Sequence, residues 1–195
     1  MPELELLNAL MVATAYLLGS VPSAILVCHC MGISDPRQQG SRNPGASNVL
    51  RIGNRKAAFF TLLGDMGKGW CAVSLPQWLN LEPSTASWAA LAVLIGHLYP
   101  LFARFHGGKG VATAVGICLA LSPPLGIIQI LMWGTLISIG RIASLASIGC
   151  ALISPIIAWL VQPSLLMPVL LISLLLLTTH RENISKLIHG AESRF

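Results

Sequence analysis

The sequence predicts an all-α integral membrane protein with seven transmembrane helices, and three observations carry that expectation. The first is composition: of 195 residues, 54% are hydrophobic and only 10% are charged, against about 25% charged in ordinary soluble domains. Mean hydropathy is correspondingly high, +0.75. The second is the gathering of apolar residues into runs over residues 6–31, 56–79, 86–103, 111–122, 125–140, 142–161 and 164–179. A full crossing needs about 20 residues. The third is charge. Twelve Lys and Arg against seven Asp and Glu give a net charge of +5. These residues punctuate the apolar runs instead of forming the exposed basic patch of a nucleic-acid-binding domain, so nucleic acid is excluded as a partner.

The first run follows the acidic start Met1-Pro2-Glu3-Leu4-Glu5. It lacks the positive flank of a cleavable signal peptide and is expected to stay as a span. The second and third runs are long enough to cross. The fourth and fifth are short and are separated by Ser122-Pro123-Pro124, and parity decides how they count. If the chain folds back at the prolines, Arg104, Lys109 and Arg141 share one membrane face; a single crossing over 111–140 would split them. A tilted pair or a hairpin that does not fully span keeps the same parity. The sixth and seventh runs complete the set.

With the N-terminus outside, Arg37, Arg42, Arg51, Arg55 and Lys56 fall in the first inner loop, and Arg104 and Lys109 in the second. Arg141 marks the third, and Arg181, Lys186 and Arg194 lie in a cytoplasmic C-terminal tail. Eleven of the twelve basic residues thus share one side, and the outer segments carry only Glu3, Glu5 and Glu82. Positive residues mark the cytoplasmic side. No internal repeat is visible, and residues 1–195 read as one polytopic domain whose longest polar loop is 32–55. The five cysteines, Cys28, Cys30, Cys71, Cys118 and Cys150, make no C-x-x-C pair and sit in or beside apolar runs. They read as small hydrophobes, not as a disulfide framework or zinc site.

The polar chemistry collects at the inner boundary. The first inner loop packs Ser41, Arg42, Asn43, Ser47, Asn48 and Arg51 among the glycines of Gly40–Arg51. Hydroxyls and amides offer short adaptable hydrogen bonds, and arginines bind phosphate bidentately. The same small and amide residues are also what turns are made of. In the second inner loop, Gly107-Gly108-Lys109-Gly110 opens a helix. It offers free backbone N–H groups, the positive end of a helix dipole and one ammonium, a phosphate cradle without the spacing of a Walker loop. A plain turn is the alternative there, and His97 reads as a satisfied core histidine. Asp65 and Lys68 lie three apart on one helix face. They form either a structural ion pair or an anion site in which Asp65 orients Lys68. At the end of the last span His180 and Asn183 are again three apart, with a snorkelling amphipathic helix end as the alternative. Ser144 begins the sixth helix at the same depth. A pore would spread polar groups through the membrane. Their concentration at one face fits an enzyme acting on an anionic, lipid-linked substrate.

These motifs resemble those of the bacterial acyl-phosphate:glycerol-3-phosphate acyltransferases. The resemblance runs from Gly19-Ser20-Val21-Pro22-Ser23 to Glu192. It rests on the Gly40–Arg51 loop, Asp65-x-x-Lys68-Gly69, the long Gly96–Thr113 block and His180-Arg181-x-Asn183-Ile184. It implies a seven-helix enzyme of the bacterial inner membrane with a cytosol-facing site. That enzyme moves an acyl group from acyl phosphate to the sn-1 hydroxyl of glycerol 3-phosphate, giving lysophosphatidic acid and phosphate. It uses no acyl-CoA or acyl carrier protein as donor and needs no cofactor or metal. Its partners are the two substrates, membrane lipid and, as a candidate, the enzyme that makes acyl phosphate.

By the same resemblance Ser41, His180 and Asn183 are the catalytic residues. Asn43, Asn48, Arg51, Lys68, Gly107, Gly108, Lys109, Gly110 and Ser144 bind substrate. Ser47 stands where the family often has Thr, and Lys186 where Arg is usual. No H-x-x-x-x-D pair occurs, which sets the chain apart from the acyltransferases that use that dyad. The proton acceptor is either His180 or a substrate phosphate. A small transporter for phosphate or an organic anion is the rival reading, and it predicts basic or polar groups continuing to the outer face.

Overall fold

A computed structural model describes residues 2–194 of the chain; Met1 and Phe195 lie outside the described residues. Among the described residues there are ten α-helices, two short 3-10 turns and no strand, as the all-α expectation requires.

The first apolar run is not one rod. α1 (Pro2–Gly19) and α2 (Ser23–Cys30) meet at 45°. Pro22 cannot donate to the helical ladder, and the chain bends there. The break frees the Val21 carbonyl, which accepts a hydrogen bond from Lys68 Nζ at 2.9 Å. The first inner loop, read as loop throughout, contains a short helix, α3 (Ala46–Arg51). α4 (Arg55–Trp78) is capped by Asn54, whose side-chain oxygen accepts the Ala57 N–H at 2.8 Å.

Then come α5 (Pro83–Leu98), α6 (Val111–Leu121), α7 (Pro123–Gly140), α8 (Ala143–Val161) and α9 (Leu166–Thr179). α10 (Arg181–Ile188) continues α9 after a 61° bend, so the tail is a separate amphipathic helix.

By length and composition α5 with its following turn, α7 and α8 can each cross a membrane, and the bent pairs α1–α2 and α9–α10 bring the number to five. The 24-residue α4 and the shorter apolar α6 occupy the two remaining predicted runs. Large apolar side chains such as Trp78, Ile139 and Leu160 face outward. On a soluble protein they would be an aggregation hazard, and in a bilayer they meet lipid.

The core is built by α1 packing on α5 and α4 on α6, around Val93, Leu94 and Ile117. Both contacts are backbone-close and reciprocal. Gly19 of α1 lies on the Val93 backbone of α5, and Gly96 of α5 on the Tyr16 backbone of α1. Likewise Gly69 of α4 lies on Thr113 of α6, and Gly116 of α6 on the Met66 carbonyl of α4. Small residues let helices approach closely where lipid supplies no hydrophobic drive.

A methyl at position 116 would meet backbone, whereas one at Gly134 of α7 would meet nothing within 4 Å. Gly116→Ala should therefore destabilise the protein by about 1–3 kcal/mol through overpacking. Gly134→Ala should stabilise it by roughly 0.5 kcal/mol through helix propensity. Thermal denaturation in one detergent compares the two, and a fall of equal size in both would contradict the packing.

Candidate active site

The site is assembled from four segments that meet at one cavity. The first is the loop before α3. Its shape depends on Asn48, which is buried and spends its amide on the backbone. Its Oδ1 accepts the Ser41 N–H at 2.8 Å, and its Nδ2 donates to the carbonyls of Pro36 at 2.8 Å and Gln39 at 3.1 Å. Gly40 turns this loop at φ +58°, where a Cβ would strike the Asn48 side chain. At the loop's entry Asp35 pairs with Arg37.

The second segment is the Gly-rich turn before α6. Gly107 packs under the carbonyls of His97 and Leu98, and Gly108 lies against the His97 ring. Gly110 caps α6 at φ +82°, a conformation that favours glycine. It has no side chain to close the first turn, so the N–H groups there are left for a ligand. The third and fourth segments are the start of α8, which carries Ser144, and the α9–α10 bend, which carries His180 and Asn183.

Hydrogen bonds join these segments. Lys109 Nζ donates to Asn183 Oδ1. Asn183 Nδ2 donates to Glu192 Oε1 at 2.8 Å, and Ser144 Oγ donates to the same oxygen at 2.9 Å. Thr179 Oγ1 lies 3.2 Å from the Lys109 carbonyl and 2.8 Å from the Leu176 carbonyl, sharing one proton between them. His180 Nδ1 lies 2.8 Å from the Leu176 carbonyl. A carbonyl only accepts, so Nδ1 carries the proton and Nε2 holds the lone pair.

Burial pushes the pKa of His180 below its ordinary value, against the hydrogen bond to Leu176, which favours the neutral ring. Burial also pushes the Lys109 ammonium below its ordinary range, opposed by the charges of Glu192 and Glu182.

These groups surround a cavity of about 1790 Å³. Of the predicted site residues, Ser41, Asn43, Asn48, Arg51, Gly107, Lys109, Gly110, Ser144, His180 and Asn183 line it. Two do not. Gly108 lies behind the turn, in a small space shared with His97 and Lys68. Lys68 pairs with Asp65 at 3.0 Å and with the Val21 carbonyl, and it is 7% exposed. The structural ion pair is thus the reading that the geometry favours. His97 is buried, with Nδ1 3.2 Å from Thr113 Oγ1 and 3.5 Å from Asp65 Oδ1, and it also lines the large cavity. Asn48 lines the cavity but has both its N–H donors committed to the loop.

Glu192 and Thr179 join the site without a role expected from the sequence. Glu192 stands nine residues beyond Asn183, and no local pattern marks that spacing. The cavity has a second, apolar arm along Phe59, Leu62, Val115, Ile130 and Ile137.

The family model for glycerol-3-phosphate acyltransferase matches residues 9–190, nearly the whole chain. The chain belongs to the glycerol-3-phosphate acyltransferase family. It is 49% identical over 190 residues to the glycerol-3-phosphate acyltransferase of Methylobacillus flagellatus, over 96% of this chain and 97% of that one. To the enzyme of the same name from Burkholderia lata it is 48% identical over 192 residues, covering 92% and 87%.

Among solved structures it is similar to PlsY (YgiH), an integral membrane glycerol 3-phosphate acyltransferase. The glycerol 3-phosphate form superposes with a TM-score of 0.90 at 33% identity, over 96% of this chain and 95% of that one. The lysophosphatidic acid form gives 0.89 and 32%. This PlsY-type family places the chain among the integral membrane acyltransferases of phospholipid biosynthesis.

Removing the Asn48 amide leaves the Ser41 N–H and two carbonyls unpaired. Asn48→Ala should cost about 1–3 kcal/mol and speed amide exchange over residues 36–48. Faster exchange confined to other segments would show that the loop does not rest on Asn48.

Proposed function

We propose that this protein transfers a fatty acyl group from acyl phosphate to the sn-1 hydroxyl of glycerol 3-phosphate, releasing lysophosphatidic acid and inorganic phosphate. In this reading it crosses the bacterial inner membrane seven times, N-terminus outside, with its site facing the cytoplasm. The observation that carries the proposal is a single cavity with two kinds of wall. One end holds Arg51, Lys109 and the α6 N-terminus, and the other is apolar. An anionic head with an acyl tail fits such a space in one direction only. The forms of PlsY solved with glycerol 3-phosphate and with lysophosphatidic acid support the acceptor and the product.

The donor is a mixed anhydride with a good leaving group, so the main task is to hold two anions side by side and align hydroxyl with carbonyl. Lys109, Arg51 and the amides of the Gly107–Gly110 turn divide the two phosphates and screen their repulsion. Ser41 or Asn183 donates to the oxyanion that develops on the carbonyl, an effect of roughly 3 kcal/mol per donor in acyl-transfer sites. Asn183 spends one of its two Nδ2 hydrogens on Glu192 and its Oδ1 on Lys109, so it holds the ammonium and still has one N–H to offer the oxyanion. His180 accepts the hydroxyl proton at Nε2. Its support is the Leu176 carbonyl, which fixes the proton on Nδ1, and the burial that keeps the ring neutral.

The deciding experiment feeds purified protein palmitoyl phosphate with and without glycerol 3-phosphate and follows phosphate release. Acceptor-dependent release is expected, with Ser41→Ala and Lys109→Ala each losing about a hundredfold or more. His180→Ala should lower kcat; a loss confined to KM would remove it as base. No release from folded wild type would overturn the donor, and acyl-CoA and anion flux would be measured next.

The pH dependence follows from Lys109. Its pKa is held down by burial, so the ammonium is lost at a lower pH than an ordinary lysine's, and phosphate binding is lost with it. KM for glycerol 3-phosphate should be flat near neutrality and rise in the alkaline range. Glu192→Gln removes a charge that raises the Lys109 pKa, so the rise should start at lower pH, and Lys109→Arg should abolish it. An alkaline limb that survives in Lys109→Arg would assign it to another group.

A further inference from the structure

The apolar arm of the large cavity is lined by Ile130, Trp133 and Ile137 of α7 and meets Ser147 of α8, and a second cavity of about 20 Å³ shares part of that lining. Four residues line both spaces: Val111, Val115, Trp133 and Ser147. Trp133 has the largest side chain of the four, and it is pinned. Its Nε1–H donates to Ser147 Oγ at 3.1 Å, and Ser147 Oγ donates in turn to the Ala143 carbonyl at 2.8 Å. An indole has a single donor, and that donor ties Trp133 to α8 where the linings of the two cavities meet.

The second cavity suits an alkyl chain in chemistry but not in size. Ala114, Ala151, Val169 and Ile172 supply apolar wall. Two of its polar groups are paired: Gln129 Nε2 donates to Ser154 Oγ at 2.9 Å, and Ser154 Oγ donates to the Cys150 carbonyl at 2.6 Å. Methylenes entering there would leave these two bonds intact, which limits the cost of placing apolar groups beside polar ones. As it stands, the space is about that of one water.

We infer that Trp133 is a specificity-determining residue, the stop that limits the length of acyl tail the cavity accepts, with the second cavity as the room a longer tail would take once the indole is gone. The inference rests on the proposed reading only in placing an acyl tail in the apolar arm; it is indifferent to what activates the acyl group. In an apolar pocket one methylene more or less changes kcat/KM by tenfold or more, so displacing a wall is expected to move the preferred length.

The test compares wild type, Trp133→Phe and Trp133→Ala on myristoyl, palmitoyl, stearoyl and arachidoyl phosphates. Trp133→Ala should raise the stearoyl-to-palmitoyl ratio of kcat/KM by about tenfold, with a smaller rise in Trp133→Phe, which keeps a ring. Adding Ala151→Leu to Trp133→Ala refills the space and should return the ratio towards wild type.

A parallel series measures the rise in Tm given by lysophosphatidic acids of the same four lengths, which needs no donor. If wild type ignores acyl phosphates, the donor assignment fails, and the thermal series still decides the stop. A ratio or thermal ranking unchanged in both Trp133 variants overturns the inference. So does an equal loss across all lengths, since that would make the indole a support between helices and not a stop.

Discussion

The site depends on where one helix end is held. α6 has eleven residues, and the field of a helix N-terminus fades within its first turn. A shift of a few ångströms would take its amides out of the cavity. Three contacts fix it. Along its length, Gly116 and Gly69 bring α6 onto the backbone of α4. Before its start, Gly107 and Gly108 are pressed against the His97 and Leu98 backbone and the His97 ring. From the side, Thr179 at the end of α9 meets the Lys109 carbonyl. The Gly-rich turn is therefore held on several sides by packed groups, and its freedom as a glycine loop is spent before any substrate arrives.

The buried polar cluster beneath this turn belongs to the same constraint. Ionisable groups at membrane depth are costly and persist only when paired. Asp65 and Lys68 pair at 3.0 Å. Lys68 also satisfies the Val21 carbonyl freed by the break between α1 and α2, and Asp65 faces His97, which reaches Thr113. One small cluster thus ties the α1–α2 break, α4, α5 and the first turn of α6. This explains why Lys68 looks like an anion ligand in the sequence. A lysine within an apolar run advertises a buried partner, and only tertiary structure shows whether that partner is protein or substrate.

What could be read from the sequence was whatever is carried by spacing along one helix or loop. The apolar runs anticipated the helices to within a few residues, and the polar residues that cluster in each inner segment do come together around one cavity. What could not be read was carried by contacts between segments or by competition inside a loop. α3 lies in a stretch of Gly, Pro and Asn whose composition speaks for turns, and its own Asn48 closes the preceding loop onto the Ser41 N–H. The 45° bend of the first run was signalled by Pro22, but a continuous apolar pattern outweighed it. Asn48 is expected to bind substrate through the family resemblance alone. Its neighbours Pro36 and Gln39, which claim its two donors, are reached only when the loop closes. Glu192 was hidden for the opposite reason: a carboxylate beside an anion site is not what electrostatics asks for.

That last residue is the less intuitive part of the design. A carboxylate near bound phosphates repels them, yet Glu192 Oε1 accepts hydrogen bonds from both Asn183 and Ser144. These bonds disperse its charge and set the Asn183 amide with its oxygen towards Lys109. Lys109 needs that help. Burial lowers the pKa of Lys109, and Glu192 is the first of the charges that oppose that shift. A bound phosphate would do the same more strongly, being closer and carrying more charge. The carboxylate therefore matters most when the cavity is empty, where it offsets part of the cost of burying the ammonium. A site that must attract an anion from water then meets it with the cation already formed, and only the final approach displaces the weaker protein partner.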